Sequence, residues 1–148
     1  MPRLKSKTVE TPALIGWRER VSLPELGVGL IIAKVDTGAR SAALHATDIR
    51  IHGHRIDFTV PVKGRNHHCS LPLKGHRTVK STSGHRETRA VVETDVRIGT
   101  TKFAIEVTLT DRTDMGVPML LGRASIRGRY VVHPGKSHIV SAKKRKTK

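Results

Sequence analysis

At 148 residues the chain is long enough for one domain with its own core, and its single cysteine, Cys69, excludes an internal disulfide framework. Apolar residues make up 36% of it and aromatics only 3%, so the core must be aliphatic, and a base-stacking single-strand binder is disfavoured. The formal charge is +16, from 28 basic and 12 acidic residues, a balance that attracts polyanions or acidic partners.

Residues 1–12 read as a flexible N-terminal arm. Leu14 to Leu23 reads as a strand stopped by Pro24. Gly29 to Val35 is a short, β-branched apolar run of the kind found in buried strands, and Asp36-Thr37-Gly38 follows it as a turn. Ser41 to His52 is mixed and extended, Gly53 turns the chain, and Arg55 to Val62 alternates as a strand. The polar stretch 64–86, with Gly64, Gly75, Gly84 and several histidines, reads as a long loop or mobile hairpin. Glu87 to Ile98 and Lys102 to Thr110 form a hairpin around Gly99-Thr100-Thr101. Val117 to Leu121 is a short buried strand, Arg123 to Arg127 one or two helical turns, and Tyr130 to His133 a closing strand before Pro134-Gly135. Sustained helical periodicity is absent. The expected fold is all-β, a closed barrel with one short helix near the C-terminus, spanning residues 13–140 and followed by a basic tail at 141–148.

The ends carry much of the charge. Without Arg3, Lys5, Lys7, Lys143, Lys144, Arg145, Lys146 and Lys148, 20 basic residues still face 12 acidic ones, leaving +8. The tail reads either as a contact for nucleic acid or an acidic protein, or as a solvated end that aids solubility. No hydrophobic run of signal-peptide length follows the basic start, and the longest apolar stretch, Leu30 to Ala33, cannot cross a membrane. With the lone thiol these features lead to the expectation of a cytoplasmic protein without membrane contact.

Two short signals carry the chemistry. The first is Asp36-Thr37-Gly38-Ala39 after an apolar strand; the second is Met119-Leu120-Leu121-Gly122-Arg123 about 80 residues later. Asp-Thr-Gly alone is ordinary turn material. At the tip of a buried strand, however, the carboxylate is pinned, the threonine can bond across the turn, and glycine admits a neighbouring backbone. Leu120 and Leu121 ahead of Gly122 can form a dry wall beneath it.

These segments resemble the retropepsin-like aspartic proteases. Together with Ile15-Gly16-Trp17-Arg18-Glu19, Leu23-Pro24-Glu25-Leu26, Ala33 to Ala46, Ser83-Gly84-His85-Arg86-Glu87 and Thr108-Leu109-Thr110-Asp111-Arg112, they resemble a bacterial family long labelled ATP-dependent zinc proteases and associated with glutamate ligases of the RimK type. The resemblance spans roughly residues 14–140. It implies an aspartic endopeptidase with Asp36 as catalytic acid, Thr37, Gly38 and Ala39 as its turn, and Arg40, Ser83, Gly84, Leu120, Leu121 and Gly122 along the substrate cleft. Arg123 would support the turn, and part of 64–86 would cover the peptide as a flap.

The residues disagree with the zinc and ATP labels. The chain contains neither Gly-x-x-x-x-Gly-Lys-Ser/Thr nor His-Glu-x-x-His. His67-His68-Cys69 would point to opposite faces of a strand, so no metal and no cofactor are expected. One Asp-Thr-Gly turn per chain implies a homodimer in which two copies of Asp36 share a proton and activate water on a peptide substrate. Asp111 is the alternative second acid within one chain. The viral relatives carry an acidic residue where this chain has Arg40. That change leaves Arg123 without its usual partner and points either to acidic or Glu-rich substrates or to a surface or structural ion pair for Arg40. The competing reading is a non-catalytic barrel that binds peptide or an acidic partner.

Overall fold

Alternation of aliphatic and polar residues drives the described residues into twelve strands, one turn of α-helix and two short 3-10 turns. The computed structural model describes residues 11–80 and 84–141. The strands are β1 (Ala13–Gly16), β2 (Arg18–Leu23), β3 (Val28–Asp36), β4 (Ala42–His45), β5 (Thr47–His52), β6 (Arg55–Val62), β7 (Arg65–Pro72), β8 (Gly75–Lys80), β9 (Arg86–Ile98), β10 (Thr101–Thr110), β11 (Met119–Gly122) and β12 (Tyr130–His133). The helical turn α1 is Arg123–Ile126. The fold is thus all-β with one short helix, as expected.

The main sheet runs β10-β4-β11-β3-β2-β9-β8, and β9 also pairs with β10. Those pairings form a ring of six strands, but it is not a clean closed barrel, because β2 meets β9 at one register pair, Ser22 with Arg97. A three-stranded sheet, β5-β6-β7, and a parallel pair, β1-β12, complete the chain. Ile56, Phe58 and Val60 of β6 join Val92, Val96 and Leu121 in one aliphatic core. Each such side chain contributes roughly 1.5–3 kcal/mol by leaving water.

Two sequence expectations change here. The supposed strand Leu14 to Leu23 breaks at Trp17 into β1, which joins β12, and β2, which joins β3. The stretch 64–86 is largely ordered: β7 pairs with β6 from Val62–Arg65 to Arg55–Pro72, and β8 pairs with β9 from Lys80–Arg86 to Gly75–Val91. These strands carry few aliphatic side chains, so their alternation is of half-buried against exposed polar groups and leaves no hydrophobic signal. The flap expectation now falls on the antiparallel pair β8–β9; Ser83 lies outside the described residues.

The segment after β12 returns across the molecule. Trp17 N–H donates to the Lys136 carbonyl at 2.9 Å and His138 N–H to that of Arg18 at 2.7 Å. Gly16 is needed for this passage: a Cβ there would sit 2.7 Å from the Lys136 oxygen. Glu19, with no exposed surface, holds the segment down. Its carboxylate accepts from the N–H groups of Gly16, Ile139, Val140 and Ser141 at 2.7–3.0 Å and from the Ser141 hydroxyl at 2.7 Å. Burial alone would push this carboxyl up, but the donors from Ser141, Val140 and Gly16 outweigh it and hold the group below its ordinary range.

Candidate active site

Asp36 is the last residue of β3 and is only partly buried. Its Oδ1 accepts the Gly38 N–H at 3.1 Å, and its carbonyl accepts the Ala39 N–H, also at 3.1 Å. The turn thereby fixes the carboxylate while Oδ2 keeps no hydrogen-bond partner among the described residues. Thr37, Gly38 and Arg40 are exposed.

What braces this turn arrives from far along the chain. β11 lies between β3 and β4, parallel to the first and antiparallel to the second, and sets Gly122 beside Asp36. A Cβ on Gly122 would overlap the Ser41 carbonyl oxygen and come within 2.7 Å of that of Arg40, so only glycine lets the active-site loop cross here. Directly after it, the N–H groups of Arg123 and Ala124 donate to the carbonyls of Ala39 and Arg40 at 2.9 and 3.1 Å. The start of α1 is therefore satisfied by the loop it supports. The Arg123 guanidinium donates to the carbonyls of Thr37 and Gly38 at 3.2 and 3.4 Å. Two backbone acceptors thus occupy the arginine whose acidic partner the Arg40 position does not provide. Leu121 is completely buried beneath the turn, whereas Leu120 is partly exposed.

The other sequence candidates fall elsewhere. Asp111 follows Thr110, which pairs with His45 at the end of β4 away from Ser41 and Gly122. Four residues of strand, about 13 Å, separate those two levels, so Asp111 is not placed to be a second acid beside Asp36. His45 has a structural role, its Nδ1 accepting the Arg112 N–H at 3.1 Å. On β7, His67 and Cys69 face inward while His68 faces outward and bonds Thr59 Oγ1 at 3.0 Å. Among the described residues no three His, Cys, Asp or Glu side chains are grouped to hold a metal ion. Burial pushes the Cys69 thiol up, which leaves it a poor nucleophile at neutral pH.

One neighbouring feature was not legible in the sequence. Arg77 of β8 reaches across to the active-site loop, its guanidinium donating to Ser41 Oγ and to Glu106 Oε1, both at 2.9 Å. With Arg40, Ser125 and Arg129 it lines an open cavity of about 290 Å³ beside the turn. Arg77 sits in the stretch read as a long loop or mobile hairpin, which carried no strand register and hence no direction for its side chain.

Comparison with known proteins agrees with this geometry. The family described as "Retropepsin-like aspartic endopeptidase RimB" matches residues 14–143. Proteins named "Probable alpha-L-glutamate ligase" from Desulfotalea psychrophila, Parasynechococcus marenigrum and Shewanella pealeana are 35%, 36% and 33% identical over 82%, 84% and 88% of this chain. The chain spans under a third of their length, 28%, 28% and 30%. A crystal structure from Legionella pneumophila, of a protein described as of unknown function (DUF785), superposes with a TM-score of 0.75 at 32% identity, covering 88% of this chain and all of that one. The matching family carries the aspartic description, so the ATP-dependent zinc label is not supported. The chain belongs to the RimB-like family of retropepsin-like aspartic endopeptidases.

Proposed function

We propose that this protein is an aspartic endopeptidase that works as a homodimer and favours acidic, Glu-rich peptides. The observation that carries the reading is the Asp36 turn. A carboxylate sits at a strand tip with one oxygen fixed by the Gly38 N–H and the other open, braced by Gly122 and Arg123. One chain supplies one such turn, and Asp111 follows the Thr110–His45 pair, about 13 Å of strand from the level of Ser41. A second copy related by a twofold axis supplies the missing acid at the same spot.

Like charges brought this close do not both ionise, so the pair shares one proton. The protonated carboxyl donates to the scissile carbonyl oxygen, and the ionised one takes a proton from water as the water attacks the carbonyl carbon. The resulting tetrahedral intermediate collapses by breaking the C–N bond, with a proton delivered to the leaving amine. Gly38 lines the cleft, and the β8–β9 pair covers it. Arg40, exposed and without an ion pair among the described residues, supports the acidic preference, as does the kinship with proteins named as glutamate ligases. Two features support a second reading, a peptide-binding barrel that does not cleave: the +16 charge and the basic cavity beside the turn. The basic tail is a further contact for an acidic partner.

Unfolded acidic, neutral and basic peptides incubated with the full chain from acid to neutral pH distinguish these readings. Cleavage is expected to disappear in Asp36→Asn and with an aspartic-protease inhibitor, and to persist with a chelator. Cleavage retained by Asp36→Asn, or lost with chelator alone, overturns the aspartic mechanism. An unchanged ratio of acidic to basic cleavage in Arg40→Glu removes the acidic preference. Sedimentation across protein concentrations tests the dimer.

A further inference from the structure

The strand β10 pairs with β9 along Thr101–Thr108, but with β4 only from Val107 to Thr110. Residues 101–106 therefore have no strand partner on the side away from β9 among the described residues. Alternate N–H and C=O groups of that side are left as a free edge, the usual template for adding an extended segment. The edge opens at Ala104–Glu106 into the cavity beside the active-site loop. Three guanidinium groups line this cavity against one carboxylate, Glu106. Arg77 is already committed to Glu106 and Ser41. Arg129 lies over the Phe103 ring at 4.0 Å and has no ion pair among the described residues. Arg40 has none either. Two uncompensated cations thus flank a free strand edge.

We propose that this cavity is a docking site for a short extended acidic segment. The segment pairs through its backbone with the edge of β10 at Ala104–Glu106 and places a carboxylate between Arg40 and Arg129. The Arg77–Ser41 bond ties the same cavity to the loop that follows Asp36, so occupancy is felt at the turn. The docking itself does not need catalysis; it rests on the peptidase reading only in naming the bound segment as part of a substrate.

The test is binding to the full chain carrying Asp36→Asn, followed by fluorescence anisotropy at physiological salt. The probes are a labelled eight-residue Glu-containing peptide, its Gln counterpart, the acidic peptide with alternate backbone nitrogens methylated, and free glutamate as competitor. Methylation removes the strand donors and keeps the charge. Tenfold or greater weakening is expected from methylation, from Glu to Gln in the peptide, and from Arg40→Gln or Arg129→Gln. Lys63→Gln, the same charge change in the turn between β6 and β7, is expected to change affinity less than twofold. Arg129→Lys, which keeps the charge, is expected to retain binding and thereby separates recognition from loss of the Phe103 contact. Equal binding of the methylated peptide, equal effects of Lys63→Gln and Arg40→Gln, or competition by free glutamate at the peptide's own concentration would each overturn the proposal. Binding that meets these expectations without cleavage by the unsubstituted chain would instead retire the peptidase reading and leave the docking site standing.

Discussion

Two carboxylates in this chain have opposite fates. Glu19 is sealed from solvent and accepts five hydrogen bonds, four of them from backbone N–H groups. Asp36 is partly exposed and accepts one at its side chain. A carboxylate saturated with donors is locked as an anion and has no lone pair left for a reactant, so Glu19 serves as a rivet. A carboxylate held by one donor is oriented yet unspent, which general acid–base work requires. Donor count and burial point the same way here: Glu19 is fitted to a structural role, and Asp36 to the reactive one proposed for it.

Exchanging the two effects is the strongest way to break this contrast. Asp36→Asn should lower peptide cleavage by about a thousandfold or more while moving the urea midpoint little. Glu19→Gln should do the reverse. Its amide places a donor against backbone donors, so stability should fall on the order of 3 kcal/mol in urea titration, with turnover per folded molecule retained. If Glu19→Gln abolished turnover in fully folded protein, the division of labour would be wrong.

Acid sharpens the same contrast. The Glu19 carboxyl is held below its unfolded value of 4.5, so its contribution is complete above that pH and is lost as pH falls through the lower folded value. Unfolding free energy should therefore decline below about pH 4.5 in the parent chain, and that part of the slope should flatten in Glu19→Gln. Next in size, Gly122→Ala should cost about 1–3 kcal/mol, because the new methyl meets the Ser41 and Arg40 carbonyls, and should depress cleavage further than its stability loss explains. The smallest effect belongs to Arg123→Lys. A single ammonium replaces a guanidinium shared between two exposed carbonyls, and thermal melting should register no more than about 1 kcal/mol.

The parts of the fold that were legible in the sequence are those whose alternation is hydrophobic. β3, β6, β9 and β10 appear within a residue or two of their observed limits because Ile31, Phe58, Val96 or Val107 mark the inward positions. β7 and β8, read only as a long loop or mobile hairpin, went without limits or partners because their inward positions carry His67, Cys69, Arg77 and Val79 in place of an aliphatic run. The Asp36 turn, Gly122 and Arg123 were readable as a spaced pair of signals. Glu19 was not singled out, although a clue existed: it shares the inward register of β2 with Val21 and Leu23, where an unpartnered acid would be costly. The Arg40–Arg129 cavity depends on where β10 loses its partner, which no local pattern encodes.

The passage of β11 between β3 and β4 also orders events in time. Gly122 and Arg123 stand 86 residues beyond the turn they brace, so the Asp36 loop has no floor until the chain has been made past α1. Contacts of such sequence separation close late and slowly. A growing or partly folded chain therefore displays Asp36 on an unsupported loop. On the proposed function, an unfinished molecule therefore holds its Asp36 without the brace on which peptide cutting depends.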